Sequence, residues 1–427
     1  MFKASLLSDE SYYHASAVTE TYPTLTENAE AAICIIGTGF AGLATAISLI
    51  ERGEKNVILL DAETVGHGAS GRNGGFVFGG YSLGERDLIS AVGVENARNL
   101  YRLSLDAVEI IRQRIEKYQI DCDARYSGVY LANWFDDARL LNTQQSFMRD
   151  SLGVEWQRYN RQQLAERLHS DRYFGGLFEE NAFHFHPLKY ARGLAKAIVT
   201  NGARIHEQSR ATQIVADGAG WRVVTAHGEV KAREVVICCG GYIEKLYPAL
   251  ARAILPIATY VMVTEALGEG LQTAMHTNAA VYDNRFAFDY YRPLPDTRLL
   301  WGGRISIRER AGSEVARLLY ADMLKVYPQL AGTKVEYAWS GLMSYGRHKM
   351  PQIGKLPNGL WYGMGFGGHG VAPTTLAGEV LARGLLGDAA TLQKFAQWGL
   401  PSTGGVAGSL VAQLVYWCFE LRDWLKE

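Results

Sequence analysis

One hexapeptide constrains this chain more than any other feature. It is GTGFAG, residues 37–42, set between the apolar run AAICII and the amphipathic run LATAISLIERG. The first run reads as a buried strand of a parallel sheet and the second as a helix. Gly37 makes the tight turn, Gly39 lets backbone amides approach a pyrophosphate, and Gly42 lets the helix pack closely on the strand. The helix N-terminus at Phe40 and Ala41 then faces the phosphates. A second buried strand, NVILLDA, ends at Asp61, 22 residues after Gly39 and well placed for a ribose hydroxyl. Such a βαβ unit binds a dinucleotide, and NAD and FAD both use it.

The choice between the two comes from elsewhere in the chain. Directly after the second strand lies VGHGASGRNGGFVFGG, a loop too long for a simple NAD fold and rich in amides and small polar groups, as the extended flavin end of FAD requires. Residues 92–118 carry Leu100, Leu103, Val108, Ile111 and Ile115 at near-helical spacing and predict one long amphipathic helix. A further helix is expected at 187–202, with Pro187 in its first turn and Gly202 as its stop. Between about 255 and 338 the pattern changes to longer strands joined by turns with Pro293, Pro295 and Asp296, the mark of a separate, mostly antiparallel sheet. Near the end, GLWYGMGFGGHGVAPTTLAGEVLARGLLGD repeats the grammar of strand, glycine loop and helix. The last segment forms an amphipathic helix with Trp417 and Trp424 on or near its apolar side. That side packs on the body or a second subunit, or lies peripherally on the inner membrane.

A chain of 427 residues exceeds the size at which one core suffices, so two domains are expected. The reading is an α/β fold: a Rossmann-like FAD-binding domain from 28–90, 155–250 and 340–398, a mostly antiparallel substrate domain from 91–154 and 251–339, and a C-terminal amphipathic helix at 399–427. A formal charge of -1, with no block of like charges, argues against a nucleic-acid surface and for a small-molecule substrate. Five scattered cysteines without a CxxC pair suggest neither disulfides nor zinc, and Cys238 and Cys239 read as small core residues at the end of a strand. His184 and His186 share a face if extended, yet no third ligand follows, so no metal is expected. The chain opens without the apolar core of a signal peptide, and a cytoplasmic location is expected.

Four segments, GASGRNGG after the GxGxxG unit, HPL at 186–188, DYYR at 289–292 and GFGGHG at 365–370, resemble the D-amino-acid oxidase superfamily of FAD enzymes. The resemblance runs from about residue 11 to the end. It implies that Gly37, Gly39, Gly42 and Asp61 hold the ADP half of FAD, and that Ser70, Arg72, Asn73 and Gly74 follow the pyrophosphate and flavin. Gly240 closes a cofactor-facing strand. Gly367, Gly368, His369, Gly370 and Val371 pass the pyrimidine edge of the ring, where a helix N-terminus stabilises the charge of reduced flavin. His369 adds a hydrogen bond or a positive charge there, or only fixes the loop. His67 stands where some relatives tether flavin covalently, but noncovalent FAD is favoured.

The resemblance also bears on the substrate. Relatives that oxidise amino acids fork an arginine, from a Gly-Leu-Arg stretch, onto the substrate carboxylate, and this chain has Met343 there. Sarcosine oxidases use a lysine two residues past the GHG glycine, and this chain has Ala372. Neither side chain can replace a cationic clamp. The expected reaction is oxidation of a polyamine-type amine such as gamma-glutamylputrescine to an imine and then an aldehyde, with oxygen or a quinone as acceptor. The alternative is a secondary or cyclic amino acid, of the pipecolate or sarcosine type, held by Arg347 or Arg292. Strand alternation allows only one of Tyr290 and Tyr291 to face the substrate, and Tyr291 is taken as that one, beside Arg292. Trp339 and Trp301 offer apolar walls for a methylene chain. Monomer and homo-oligomer both remain open.

Overall fold

The computed structural model describes residues 10–426. Its first sheet is built around Ala29–Ile36, which is flanked in parallel by Glu229–Ile237 on one side and Val57–Leu60 on the other. Arg204–His206 extends it in parallel beyond Val57–Leu60, and Trp361–Met364 beyond Glu229–Ile237. The six innermost residues of Ala29–Ile36 are all buried, so both faces of this strand are covered. The helix Phe40–Ile50 is buried along its whole length. A Cβ at Gly42 would sit 1.9 Å from the Gly37 carbonyl oxygen, so close packing of helix on turn admits only glycine at that point.

The second sheet has eight strands among the described residues. Val335–Tyr345, Leu255–Thr264, Leu299–Ser306, Tyr290–Pro293 and Ala280–Asp283 come first, followed by Val129–Ala132, Gly176–Glu179 and Gln157–Tyr159. Every pairing is antiparallel except Ala280–Asp283 with Val129–Ala132. The helix Gly312–Val326 packs on one face, closing a core of Tyr260, Tyr291, Trp301, Leu319 and Tyr327. The opposite face looks toward the first domain.

Two parts of the chain lie elsewhere than their sequence positions suggest. The long helix, Val94–Lys117, starts after Gly93, whose φ of 78° ends a separate short helix, Glu85–Val92. It packs chiefly on Val371–Leu385, while Tyr101 near its start also meets Leu177 of the second sheet. Buried Arg114 ties it to both cofactor-domain helices, donating to Ser48 of Phe40–Ile50 at 2.9 Å, to Glu51 just past that helix at 2.7 Å and to Glu379 of Val371–Leu385 at 2.6 Å. Conversely, Gln157–Tyr159 and Gly176–Glu179, within the 155–250 segment read as cofactor domain, hydrogen-bond into the second sheet.

The C-terminal helix, Gly405–Trp424, departs from expectation in orientation. Its polar side meets the body: Tyr416 accepts from the Ile305 amide, Gln413 from Ile307, and Asp423 from Phe286. Leu410, Leu414, Trp417, Leu421 and Trp424 face outward, with Trp417 56% and Trp424 66% exposed. The apolar side therefore does not pack on the body. Among the described residues no helix is long and apolar enough to cross a membrane.

Candidate active site

A cleft of about 1500 Å³ runs between the two sheets. That exceeds the ~300–1,000 Å³ of an ordinary small-molecule pocket and leaves room for an extended dinucleotide together with a substrate. At one end Gly37, Gly39, Phe40, Ala41 and Asp61 line it, while Gly42 lies beneath Gly37 and shapes the turn without reaching the cleft. Asp61 accepts from the Thr38 amide at 2.7 Å and hydroxyl at 2.6 Å, which fixes the carboxylate at the end of its strand. Ser70 accepts from the Phe40 amide at 2.8 Å and so sits at the helix N-terminus, the place a phosphate would take. Cys238 and Cys239 also line the cleft, beside Gly240.

The loop that follows Ser70 is held from behind by Arg292 and Trp339, which the sequence had suggested for the substrate side, and by Tyr13. Arg292 is 1% exposed; it donates to the Gly74 carbonyl at 2.7 Å, to the Phe185 carbonyl at 2.9 Å and to the Tyr13 hydroxyl at 3.1 Å. Trp339 donates its indole N–H to the Arg72 carbonyl at 3.0 Å. Tyr13 donates to the Asn73 carbonyl at 2.8 Å, and the Asn73 side chain spans the loop from the Ala69 and Ser70 carbonyls to the Gly75 amide. Arg292 and Trp339 are thus positioning residues rather than a carboxylate clamp and a pocket wall. A side chain whose donors are already spent inside cannot also grip a substrate.

Tyr291 is corrected in the same way. It is fully buried, its ring stacks on Trp301 at 4.3 Å, and its hydroxyl accepts from Tyr327 at 3.3 Å. Tyr290 lines the cleft instead. The reason lies across the strand pair: Tyr291 faces Trp301 on the side covered by the helix Gly312–Val326, whereas Tyr290 faces Gly302. A Cβ at Gly302 would meet the Tyr290 ring at 2.1 Å, so the glycine makes space for the phenol.

The glycine loop Gly367–Val371 and Ala372 line the cleft at the head of the helix Val371–Leu385. Gly368 donates to the Tyr345 hydroxyl at 2.9 Å, and His369 donates its amide to Ser82 at 3.1 Å. The His369 ring donates through Nε2 to the Gly79 carbonyl at 2.7 Å. Burial lowers its pKa to about 4, so the ring is neutral near pH 7 and fixes the loop instead of adding a positive charge. Tyr345 and Ser82 were not foreseen. Tyr345 shares a strand face with cleft-lining Met343, a period-2 signal that could have found it. Ser82 is positioned purely by the tertiary fold.

His67 lines the cleft with its Nε2 3.5 Å from Arg72. His184 accepts a place between Arg292 and the Asn278 carbonyl, and burial next to Arg292 lowers its pKa to about 3. His186 caps the helix Pro187–Thr200 and falls to about 2 for the same reasons. Both are committed to structure. Arg347 lines the cleft mouth and is exposed.

A dinucleotide cradle in a parallel sheet, a glycine loop at a second helix N-terminus and an antiparallel sheet roofing the cleft define a two-domain flavoprotein oxidoreductase. The family model described as FAD dependent oxidoreductase (DAO) matches residues 32–383, and the chain belongs to that family. Its cofactor is FAD, which the glycine cradle and the size of the cleft fit. The chain is 38% identical over 397 residues to gamma-glutamylputrescine oxidoreductase of Escherichia coli K12, covering 90% of this chain and 91% of that protein. It is 36% identical to a probable oxidoreductase, OrdL, of Haemophilus influenzae, covering 92% of each. Among solved structures, glycine oxidase from Bacillus cereus superposes with a TM-score of 0.71 at 20% identity, over 84% of this chain and 95% of that one, a likeness of fold.

Proposed function

We propose that this protein oxidises a polyamine-type amine, such as gamma-glutamylputrescine, at the carbon next to nitrogen. The observation that carries the reading is the identity of Met343 and Ala372, both on the cleft wall where carboxylate-binding relatives place a cation. Arg292, the inner candidate for a displaced clamp, is consumed by backbone carbonyls. FAD, held noncovalently, supplies the hydride acceptor. The chain's own part is to orient the amine over the cleft between Tyr290, Met343 and Tyr345 and to exclude water until the imine has formed. Water then hydrolyses the imine to an aldehyde, and the two electrons pass to oxygen or a quinone. The amine must be neutral to react, so activity follows the substrate's own ionisation and rises toward alkaline pH.

The test is anaerobic bleaching of the flavin absorption band by gamma-glutamylputrescine, putrescine, spermidine, sarcosine and L-pipecolate. Bleaching by the polyamine derivatives alone supports the reading. Bleaching by sarcosine or pipecolate alone refutes it and transfers the carboxylate contact to Arg347. Peroxide release during turnover in air separates an oxidase from a dehydrogenase that hands its electrons to a quinone.

A further inference from the structure

One lobe of the cleft has a composition the reaction itself does not call for. Its walls are Phe76, Phe78, Tyr282 and Trp156, and Glu85 opens into it. Phe78 and Tyr282 stack with centroids 5.6 Å apart and planes within 5°, and Phe78 lies edge-on to His369 at 4.2 Å. Glu85 stands at the start of the helix Glu85–Val92, after Gly84 with φ 66°. Its Oε1 lies 3.3 Å from where a Cβ on Gly80 would be, and the His369 Nε2 lies 3.5 Å from the same point. The carboxylate and the flavin-side loop therefore meet at Gly80.

Among the described residues no cation pairs with this acid, Glu85. Arg86, next in sequence, turns away to lie 4.0 Å over the Phe147 ring and donates to the Thr143 carbonyl. His369 is neutral and already donates to Gly79. Near Glu85 stands Glu179, 9% exposed, whose proton affinity is raised by burial and then by Glu85, while burial raises that of Glu85 itself. Trp156 is 6% exposed and adds a further apolar wall to the same cleft.

From this arrangement we infer that Glu85, walled by Phe78 and Tyr282, receives a protonated nitrogen of the substrate other than the one oxidised. Aromatic faces and a carboxylate are together the chemistry that recognises an alkylammonium. The nitrogen concerned cannot be the reacting one: an adjacent anion holds an amine protonated, and the reacting amine must be neutral. The substrate class is then a di- or polyamine, or an N-substituted diamine with a second cationic nitrogen, and a simple monoamine lacks half of the recognition. This inference deepens the amine reading above and rests on it for the reaction, but not for the binding.

The experiment uses the FAD-loaded protein and a cation that cannot be oxidised through an N–H. Choline and its uncharged carbon isostere, 3,3-dimethylbutan-1-ol, are titrated calorimetrically into wild type and Glu85→Gln. Wild type is expected to prefer choline, and E85Q to weaken choline by roughly 10- to 100-fold while leaving the alcohol unchanged. Kinetics add a split: E85Q raises KM for a diamine derivative and leaves kcat, and it leaves both constants for butylamine. Equal binding of choline and the alcohol by wild type overturns the inference without recourse to any variant, and so does unchanged choline affinity in E85Q with full flavin absorbance. Choline binding that depends on Glu85 in a protein whose flavin no amine bleaches would refute the amine reaction and leave the cation subsite standing. Bleaching by polyamine derivatives with equal KM in both proteins would do the reverse.

Discussion

Arg292 offers the sharpest test of how this site is built, because a clamp and a strut predict different losses. Replacing it with methionine keeps much of the volume and removes every donor. The Gly74 and Phe185 carbonyls and the Tyr13 hydroxyl then lose a partner in a buried place. Each stranded acceptor costs about 1–3 kcal/mol, partly offset because a desolvated cation without a carboxylate partner is also removed, for a net loss of about 2–4 kcal/mol. At about 2.1 cal/mol/K of unfolding entropy per residue, a chain of this length gives about 0.9 kcal/mol per degree, so Tm falls by about 2–4 °C. Because Gly74 lines the cleft, FAD affinity falls with it. Thermal unfolding of the holo- and apoprotein and flavin titration read both effects. A variant with wild-type Tm and FAD affinity but a raised substrate KM would refute the reasoning and restore Arg292 as a substrate contact.

Three further outcomes follow from the same geometry. Tyr290→Phe is expected to alter kcat/KM with little change in Tm, whereas Tyr291→Phe should leave kinetics intact and cost about 1 kcal/mol in a urea melt through the stranded Tyr327 hydroxyl; the opposite pattern would reverse the two assignments. Gly42→Ala forces a methyl into the Gly37 carbonyl, and the purified protein should lack flavin absorbance; a full FAD complement would show that the turn can yield. Burial, then Glu85, raises the Glu179 pKa to about 8 from an ordinary value near 4.5, so its protonated form is favoured by folding. That contribution is complete below about pH 4.5 and is lost as pH rises toward 8. Glu179→Gln should therefore gain Tm relative to wild type between pH 5 and about 8, and parallel Tm–pH curves for the two proteins would contradict the burial of this carboxyl.

Local signals carried the cofactor half of the molecule. The turn at Gly37, the acid at Asp61 and the loop at Gly367 each depend on contiguous residues whose backbone geometry only certain side chains permit, so their spacing is readable along the chain. The absence of a cation at Met343 and Ala372 was likewise visible once the resemblance fixed which positions to inspect. The substrate half was legible only as a rule. Alternation stated that one of Tyr290 and Tyr291 faces the cleft, yet which one depended on Gly302 and Trp301 across the pair and on the helix Gly312–Val326 covering one face. Arg292 looked like chemistry because a buried arginine carries no sequence mark of where its donors go.

By itself, then, the sequence determined a dinucleotide-binding βαβ unit and a second antiparallel sheet, since those rest on short-range periodicity and on glycines that no other residue replaces, and its resemblance to the D-amino-acid oxidase superfamily implied an FAD oxidoreductase. Only the tertiary structure decided that Arg114 ties the helix Val94–Lys117 to Glu51 and Glu379, that the C-terminal helix turns its apolar stripe outward, and that Glu85, Phe78 and Tyr282 line one cleft. These are contacts between segments tens to hundreds of residues apart. What sets them is the packing of faces that each look equally eligible until their partners are in place.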